Sequence, residues 1–173
     1  LHEAVSLVPQ KATLFTGTLR DNMKYGKDDA TDDEIWHALD IARARDFVEA
    51  DPAGLDLHVE QGGGNFSGGQ RQRLAIARAL VKQSAVYIFD DSFSALDFKT
   101  DAELRAELRQ DAHIQQSITV IVAQRIATVA DADLILVLDN GKLVGKGTHD
   151  ELRKTNKVYQ EIINSQIRKE DDK

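Results

Sequence analysis

Cysteine is absent from this sequence of 173 residues. Disulfides, thiolate nucleophiles and zinc–thiolate clusters are therefore excluded, which fits a reducing compartment without proving one. Long apolar runs are absent as well, since none approaches the ~20 residues that a membrane-spanning helix needs. No signal peptide is visible, but Leu1 is not a natural start, so the beginning of the chain says nothing about targeting.

Positive charge is scarce, with 22 Lys and Arg against 29 Asp and Glu and a net charge of −7 at pH 7. Surfaces that bind nucleic acid need a basic face, so we expect no nucleic-acid partner. The hydrophobic content of 42% and the charged fraction of 29% are typical of a soluble globular protein. The length is sufficient for one domain with a substantial core.

A phosphate-binding loop of the pattern G-x-x-x-x-G-K-[ST] is the third absence. The chain has Gly-Lys pairs at 26–27, 141–142 and 145–146, but none of them lies in such a loop.

A Gly-rich turn, Phe66-Ser67-Gly68-Gly69-Gln70, leads directly into a strong helical pattern. No Gly or Pro occurs from Gln70 to Gln83, and apolar residues repeat there at helical spacing. Ser67 is a good N-cap, and the two glycines let backbone N–H groups approach a ligand. Free N–H groups at the positive end of a helix dipole favour phosphate. For this turn alone, an ordinary capped helix would be the better interpretation.

The residues that follow favour the phosphate interpretation. Ala85-Val86-Tyr87-Ile88-Phe89 predicts an apolar strand, and it ends in Asp90 and Asp91. Phosphate-handling sheets present a Mg²⁺ carboxylate in this way, at the end of a strand.

These residues resemble the ATP-binding cassette (ABC) transporter family. Five segments match motifs of that family in the right order over nearly the whole chain. They are the Q-loop segment (8–10), the signature segment (66–70), the Walker B segment (85–91), the D-loop segment (94–97) and the H-loop segment (122–125). The residues Thr13 to Met23 resemble exporter-type members, in which the coupling helices of the transmembrane domains dock there; Glu60 is a further candidate contact.

The resemblance implies an α/β fold with a mostly parallel sheet, similar to P-loop NTPases, and an α-helical subdomain inserted at 14–66. The part from 67 to 167 would hold the signature helix, the Walker B, D-loop and H-loop segments and the last helices. The tail 168–173 is charged and expected to fray. Because the Walker A loop precedes the Q-loop in the family, the chain is expected to be a C-terminal part of the nucleotide-binding domain. This part by itself is expected to bind ATP only weakly.

The resemblance also implies ATP and Mg²⁺ as cofactors and assigns the site residues. Asp90 and Gln10 would contact Mg²⁺, and Gln10 would also contact the attacking water. Asp91 stands where the family has a catalytic Glu, and Gln124 where it has a His. The residues assigned to a nucleotide are Ser67, Gly68, Gly69, Gln70 and Asp97.

Asp91 and Gln124, the two residues that differ from the family's Glu and His, weaken the same half-site. The Asp91 side chain is one methylene shorter than Glu, so its carboxylate stops about 1.5 Å short. A misplacement of about 1 Å can reduce a rate on the order of a hundredfold. Gln124 donates a hydrogen bond but carries no charge.

The family pairs two nucleotide-binding domains head to tail, with each ATP between one domain's Walker motifs and the other's signature. A poor Walker side beside an intact signature resembles one half of a heterodimeric multidrug or lipid exporter, on the cytoplasmic face of the plasma membrane. Two alternatives remain: a soluble ABC ATPase, and a nucleotide-binding regulatory module without turnover.

Helix and strand signals complete the sequence-based expectations. Capping boxes predict helices that begin after Thr31, Thr100 and Thr148. The apolar run Ile118–Val122 predicts a buried parallel strand, and Asn140-Gly141 predicts a hairpin turn.

Overall fold

The computed structural model describes residues 4–171, without the side chains of 168–171. Strands alternate with helices along the chain. The strands are β1 (Val5–Val8), β2 (Gly17–Thr18), β3 (His58–Val59), β4 (Val86–Asp90), β5 (Ile118–Val122), β6 (Ile135–Asp139) and β7 (Lys142–Gly147). The helices are α1 (Leu19–Lys24), α2 (Asp32–Ile41), α3 (Arg45–Glu49), α4 (Gly68–Val81), α5 (Phe98–Gln110), α6 (Ile126–Val129), α7 (His149–Thr155) and α8 (Lys157–Asp171). Short 3₁₀ turns cover Gly54–Asp56, Gln61–Gly63 and Ile114–Gln116.

The chain divides into two compact units, one up to Val122 and one from Ala123 onward. The first unit is built on a three-stranded sheet of order β1-β4-β5 with both pairs parallel. Helix α4 connects β1 to β4 after the helical segment α1–α3, and α5 connects β4 to β5. The predicted α/β fold with a parallel sheet is therefore confirmed. The bounds of the helical insertion, 14–66, remain a prediction.

Helix α4 anchors the core of the first unit. Its apolar face, predicted from helical spacing, is buried, with Leu74 and Ala77 at 0% exposure. From the sheet, Tyr87 and Phe89 are buried too, and their rings stack with centroids 6.4 Å apart. Burial raises the pKa of Tyr87 to about 12, so this phenol stays neutral and its oxygen accepts a hydrogen bond from the Ser84 N–H.

The second unit is an antiparallel hairpin covered by helices. Strands β6 and β7 pair through a turn in which Asn140 and Gly141 both have positive φ, which confirms the predicted hairpin. The buried hydrophobic residues described in this unit form one cluster, which consists of Ile135, Val137, Leu152 and Tyr159. The backbone of the tail 168–173 is helical as far as Asp171. Asp172, Lys173 and the side chains of 168–171 lie outside the described residues.

Two sequence-based expectations are wrong. Strand β5 pairs in parallel as predicted, but Ile118, Val120 and Val122 are 64%, 43% and 51% exposed. It lies at the sheet edge, and the described part of the chain does not cover these side chains. The cap of α5 is Asp97 rather than Thr100, because the Asp97 carboxylate accepts the Thr100 N–H and starts the helix three residues earlier.

The capping boxes at Thr31 and Thr148 are confirmed, each with its Glu three residues later. Among the described residues, none of the helices combines the length and the apolar character needed to cross a bilayer.

Candidate functional site

The signature segment forms the capped N-terminus of α4. Ser67 Oγ accepts the Gln70 N–H at 3.2 Å, and Gln70 Oε1 accepts the Ser67 N–H at 2.9 Å. This reciprocal cap fixes the backbone of the turn, and Ser67 and Gly68 are exposed. Since the first N–H groups of a helix have no partner within it, those of Gly68 and Gly69 point out of the helix end. The arrangement can receive an anion.

The two glycines of this turn differ in their surroundings. A Cβ on Gly69 would lie 3.3 Å from the Ala95 carbonyl oxygen, so Gly69 lets the signature segment lie against the D-loop segment. A Cβ on Gly68 would meet only Arg71 Nη2 at 3.9 Å. Packing within the chain therefore favours a glycine at 69, whereas it leaves room for a side chain at 68.

A second group of site residues lies at the carboxyl ends of β1 and β4. Gln10 Nε2 donates to Asp91 Oδ2 at 3.0 Å. Asp91 has a left-handed backbone with φ 47°, and its N–H donates to Val122 O at 2.8 Å. The buried Ser92 Oγ donates to Val8 O at 2.7 Å and ties the two strand ends together. The structure thus brings Gln10 and Asp91 together, with Asp90 one residue away on the strand end.

These oxygens fit a magnesium ion. The Asp90 side chain is exposed at the end of β4. Gln10 uses its Nε2 for the hydrogen bond to Asp91, so its Oε1 takes no part in that bond. Carboxylate and amide oxygens are ligands that Mg²⁺ accepts, together with water and phosphate. Among residues 4–167, whose side chains are described, no group of three His, Cys, Asp or Glu could hold a metal ion without further ligands.

Asp97 ends the D-loop segment and caps α5. Its Oδ1 accepts the Thr100 N–H at 2.9 Å and its Oδ2 accepts the Thr100 hydroxyl at 2.8 Å. These hydrogen bonds lower the pKa of Asp97 below its ordinary value. Asp97 therefore remains a carboxylate that fixes the backbone of the D-loop segment.

Gln124, in the H-loop segment, belongs to the second unit. Its side chain is exposed, and its carbonyl oxygen accepts a hydrogen bond of 2.6 Å from Gln166 Nε2 on α8. The backbone at Gln124 is therefore held by the last helix of the second unit.

Sequence reasoning missed two arginines of the first unit whose side chains donate to backbone carbonyl groups. Arg73 on α4 donates to Gly69 O at 3.4 Å and to Arg43 O at 2.6 Å. Arg78 donates to Thr13 O at 3.0 Å and lies 5.4 Å from the centre of the Phe15 ring. Burial lowers the pKa of both Arg73 and Arg78. The spacing of four residues between Gly69 and Arg73 was the available signal for the first of these contacts.

An exposed aromatic pair lies above Arg78. The rings of Phe15 and Tyr25 stack with centroids 4.5 Å apart, and the two residues are 44% and 70% exposed. Glu60 is also exposed, after the short strand β3.

Comparisons with known proteins agree with this geometry. A family model described as ABC transporter matches residues 1–94. An uncharacterized ABC transporter ATP-binding protein of Mycobacterium tuberculosis is 51% identical over 172 residues, which are 96% of this chain and 28% of that protein. An ATP-dependent lipid A-core flippase of Desulfotalea psychrophila is 39% identical over 166 residues, which are 96% of this chain and 29% of that protein.

A solved structure of a bacterial Atm1-family ABC exporter with ATP bound has a TM-score of 0.89 and 38% identity, over 95% of this chain and 29% of that chain. The chain therefore spans less than a third of the length of each of these proteins. A family match over more than half of the chain, together with the parallel sheet and the capped signature segment, identifies the chain as a member of the ABC transporter family, within its ATP-binding domain.

Proposed function

We propose that this chain is part of an ATPase subunit of an ABC exporter, in which its signature segment completes an ATP site on a second nucleotide-binding domain. The observation that carries this proposal is Gly68. Gly68 is exposed at the first position of helix α4, and the space around it would admit a Cβ. A ligand that approaches the backbone from beyond the helix end explains why glycine stands there.

The phosphate in question belongs to the partner domain's ATP. Ser67 begins helix α4, whereas Asp90 ends strand β4 next to the hydrogen-bonded pair Gln10 and Asp91. In a head-to-tail pair of domains, Asp90 and Gln10 would lie at this chain's own nucleotide. Ser67, Gly68, Gly69, Gln70 and the D-loop Asp97 would lie at the partner's nucleotide.

The Walker side of this chain is the weaker half of its own site. Asp90 and Gln10 would hold Mg²⁺, which would neutralise charge on the phosphates when bound. Asp91 would orient the attacking water as general base, and its hydrogen bond from Gln10 fixes the carboxylate. The short aspartate and the uncharged Gln124 support slow turnover at this site and hence a heterodimeric assembly with one active site.

The exposed pair Phe15 and Tyr25 supports docking to transmembrane domains. Two stacked aromatic rings at 44% and 70% exposure are suited to anchor a coupling helix. The Arg78 guanidinium packs on the Phe15 ring and limits its movement. Glu60 is the second proposed contact. These roles place the chain at the cytoplasmic face of the plasma membrane.

A regulatory module that binds nucleotide without turnover is the second candidate. Asp91 and Gln124 favour it, because both depart from the residues that support hydrolysis. A soluble ABC ATPase is less favoured, since the relatives described above include a lipid flippase and an exporter.

Thiol labelling of the full-length protein tests the central part of this proposal. This part of the protein lacks cysteine, so Ser67→Cys introduces one thiol into the signature segment, in a background from which any cysteine elsewhere has been removed. Mg-ATP with the partner domain should slow its reaction with a maleimide. Ser165→Cys, on exposed α8, is the control and should react at an unchanged rate. Equal labelling of the Ser67→Cys variant with and without ATP would contradict a role in nucleotide binding.

A further inference from the structure

The turn that ends helix α2 has an arginine at its left-handed position. Ala44 N donates to Leu39 O at 2.8 Å and Arg43 N donates to Asp40 O at 3.0 Å, which is the pattern of a Schellman motif. Arg43 occupies the left-handed residue of this motif with φ 55°. Glycine is the usual residue there, because a Cβ is strained in this conformation. The backbone of the turn therefore does not account for the arginine.

The guanidinium of Arg43 contacts helix α5. Its Nη2 donates to Glu103 Oε2 at 3.1 Å, and its Nη1 lies 4.0 Å from Glu107 Oε1. Glu103 and Glu107 are four residues apart and share one face of the helix. The three side chains are 39–44% exposed, and ion pairs at such exposure add less stability than the left-handed conformation costs a non-glycine residue. Stability alone does not favour this arginine, which leaves a geometric role.

The carbonyl oxygen of Arg43 contacts helix α4 through Arg73. Arg73 Nη1 donates to Arg43 O at 2.6 Å, while Arg73 Nε donates to Gly69 O in the signature segment at 3.4 Å. The Arg73 guanidinium lies 4.9 Å from the centre of the Phe47 ring, which limits where it can move. Arg43 therefore connects α5 through its side chain with the signature segment through its backbone.

Both connected elements belong to the surface that would face the partner's ATP in the proposed function. Helix α5 is capped by Asp97, the last residue of the D-loop segment. Gly69 lies against Ala95 of the same segment. Burial lowers the pKa of Arg73 and the negative charge of Asp97 opposes this shift, so the two groups are close enough to interact.

We propose that Arg43 is a positioning residue that holds the signature segment and the D-loop segment in one fixed arrangement. Its consequence for catalysis rests on the proposed function; the coupling itself is a property of this chain. Without the guanidinium, Glu103 and Glu107 of α5 lose their ion pairs with the α2–α3 corner. The signature segment and the D-loop segment then fluctuate independently. They are less often in the arrangement that supports hydrolysis of the partner's ATP.

Arg43→Gly in the full-length protein tests the proposal, because it removes the guanidinium, keeps the carbonyl and relieves the left-handed backbone. Gln83→Gly is the matched control, since Gln83 has φ 51° at the end of α4 and lies outside the network. Both variants should match or exceed the melting temperature of the wild type. Only Arg43→Gly should accelerate hydrogen exchange in peptides 66–78 and 94–105, about threefold to tenfold.

ATP hydrolysis with the partner domain should fall by a similar factor in kcat for Arg43→Gly, and Arg43→Lys should recover part of it. Glu103→Gln with Glu107→Gln should reproduce the exchange result, and adding Arg43→Gly to that pair should change it no further. Unchanged exchange in either peptide of Arg43→Gly would overturn the proposal. A wild type that hydrolyses no ATP would instead contradict the proposed function, and the exchange data would still decide the coupling.

Discussion

At the residue scale, Asp91 combines two properties that bear on catalysis. Its left-handed backbone, with φ 47°, suits Asp and Asn better than longer side chains. Its carboxylate is already held by Gln10. The residue is thus well positioned but short, and the proposed weakness of this site is one of reach.

Lengthening this side chain should raise turnover at the chain's own Walker side. In the full-length assembly, Asp91→Glu together with Gln124→His should increase single-site hydrolysis by on the order of tenfold to a hundredfold, because reach and an imidazole are restored. Single-turnover kinetics with the partner's active site disabled would measure it. Asp91→Asn, which keeps the left-handed backbone but loses the charge, is the control and should show no gain. Unchanged turnover in the double variant would locate the limitation elsewhere.

At the element scale, helix α5 carries a buried ion pair that sequence spacing could have indicated. Arg105 Nε donates to Asp101 Oδ1 at 2.7 Å, and the side chains are 9% and 2% exposed. The residues are four apart on a predicted helix, which is the spacing of a pair. What the sequence could not show is burial, which depends on the elements packed around α5.

Removing the arginine of this pair should destabilise the protein strongly. Arg105→Ala leaves the buried Asp101 carboxylate without its guanidinium, and loss of one partner of a buried pair costs about 3–5 kcal/mol. Lys99→Ala in the same helix is the control: Lys99 is 85% exposed and lies 3.9 Å from Glu103, so its loss should cost less than about 1 kcal/mol. Thermal unfolding compares the two, and equal effects would contradict the account of α5.

Sequence patterns alone predict some of the helix and strand boundaries but not others. The caps at Ser67, Thr31 and Thr148 could be predicted because a capping box is a local pattern of two residues. The capping-box pattern at Thr100 and Glu103 predicts a helix that begins after Thr100, and only the backbone shows that Asp97 caps the helix first. The apolar run predicts strand β5, but the exposure of this strand follows from its edge position, which is a property of the sheet.

At the scale of the whole molecule, several carboxylates gain hydrogen bonds on folding. Burial disfavours the charge of Asp111, but hydrogen bonds from the Ile114 N–H and from His37 outweigh it, so the pKa of Asp111 lies below its ordinary value. The pKa of Asp97 and of Glu34 is lowered as well, by hydrogen bonds from Thr100 and from Lys27 respectively.

This pattern predicts acid sensitivity with a definite sign. A carboxylate with a depressed pKa stabilises the fold above its unfolded pKa of about 4, and the contribution is lost as the pH falls through the lower folded value. The melting temperature should therefore stay level from about pH 7 to about pH 5 and fall below about pH 4. Asp111→Asn should melt below the wild type at neutral pH, and the gap should narrow on acidification. A gap that is equally wide in acid would contradict the assignment to Asp111.

The site as a whole could be predicted only in part. The signature, Walker B and D-loop segments are contiguous in sequence, so their chemistry can be identified from residue order. The contacts Gln10–Asp91, Gly69–Ala95 and Arg73–Arg43 join residues that are far apart in the chain, and pairings of that kind depend on the topology of the sheet and its helices.

The division of labour between the signature segment and the Walker side of this chain is the central claim, and ATPase rates of two variants in the assembled pair test it most directly. Gly68→Asp would place a carboxylate against the partner's phosphate and block the approach of the backbone, so it should abolish most turnover. Asp90→Asn would remove a Mg²⁺ ligand from the weak site and should reduce total turnover much less. If Asp90→Asn proves the more damaging of the two, the signature segment does not serve the stronger site, and the account is contradicted.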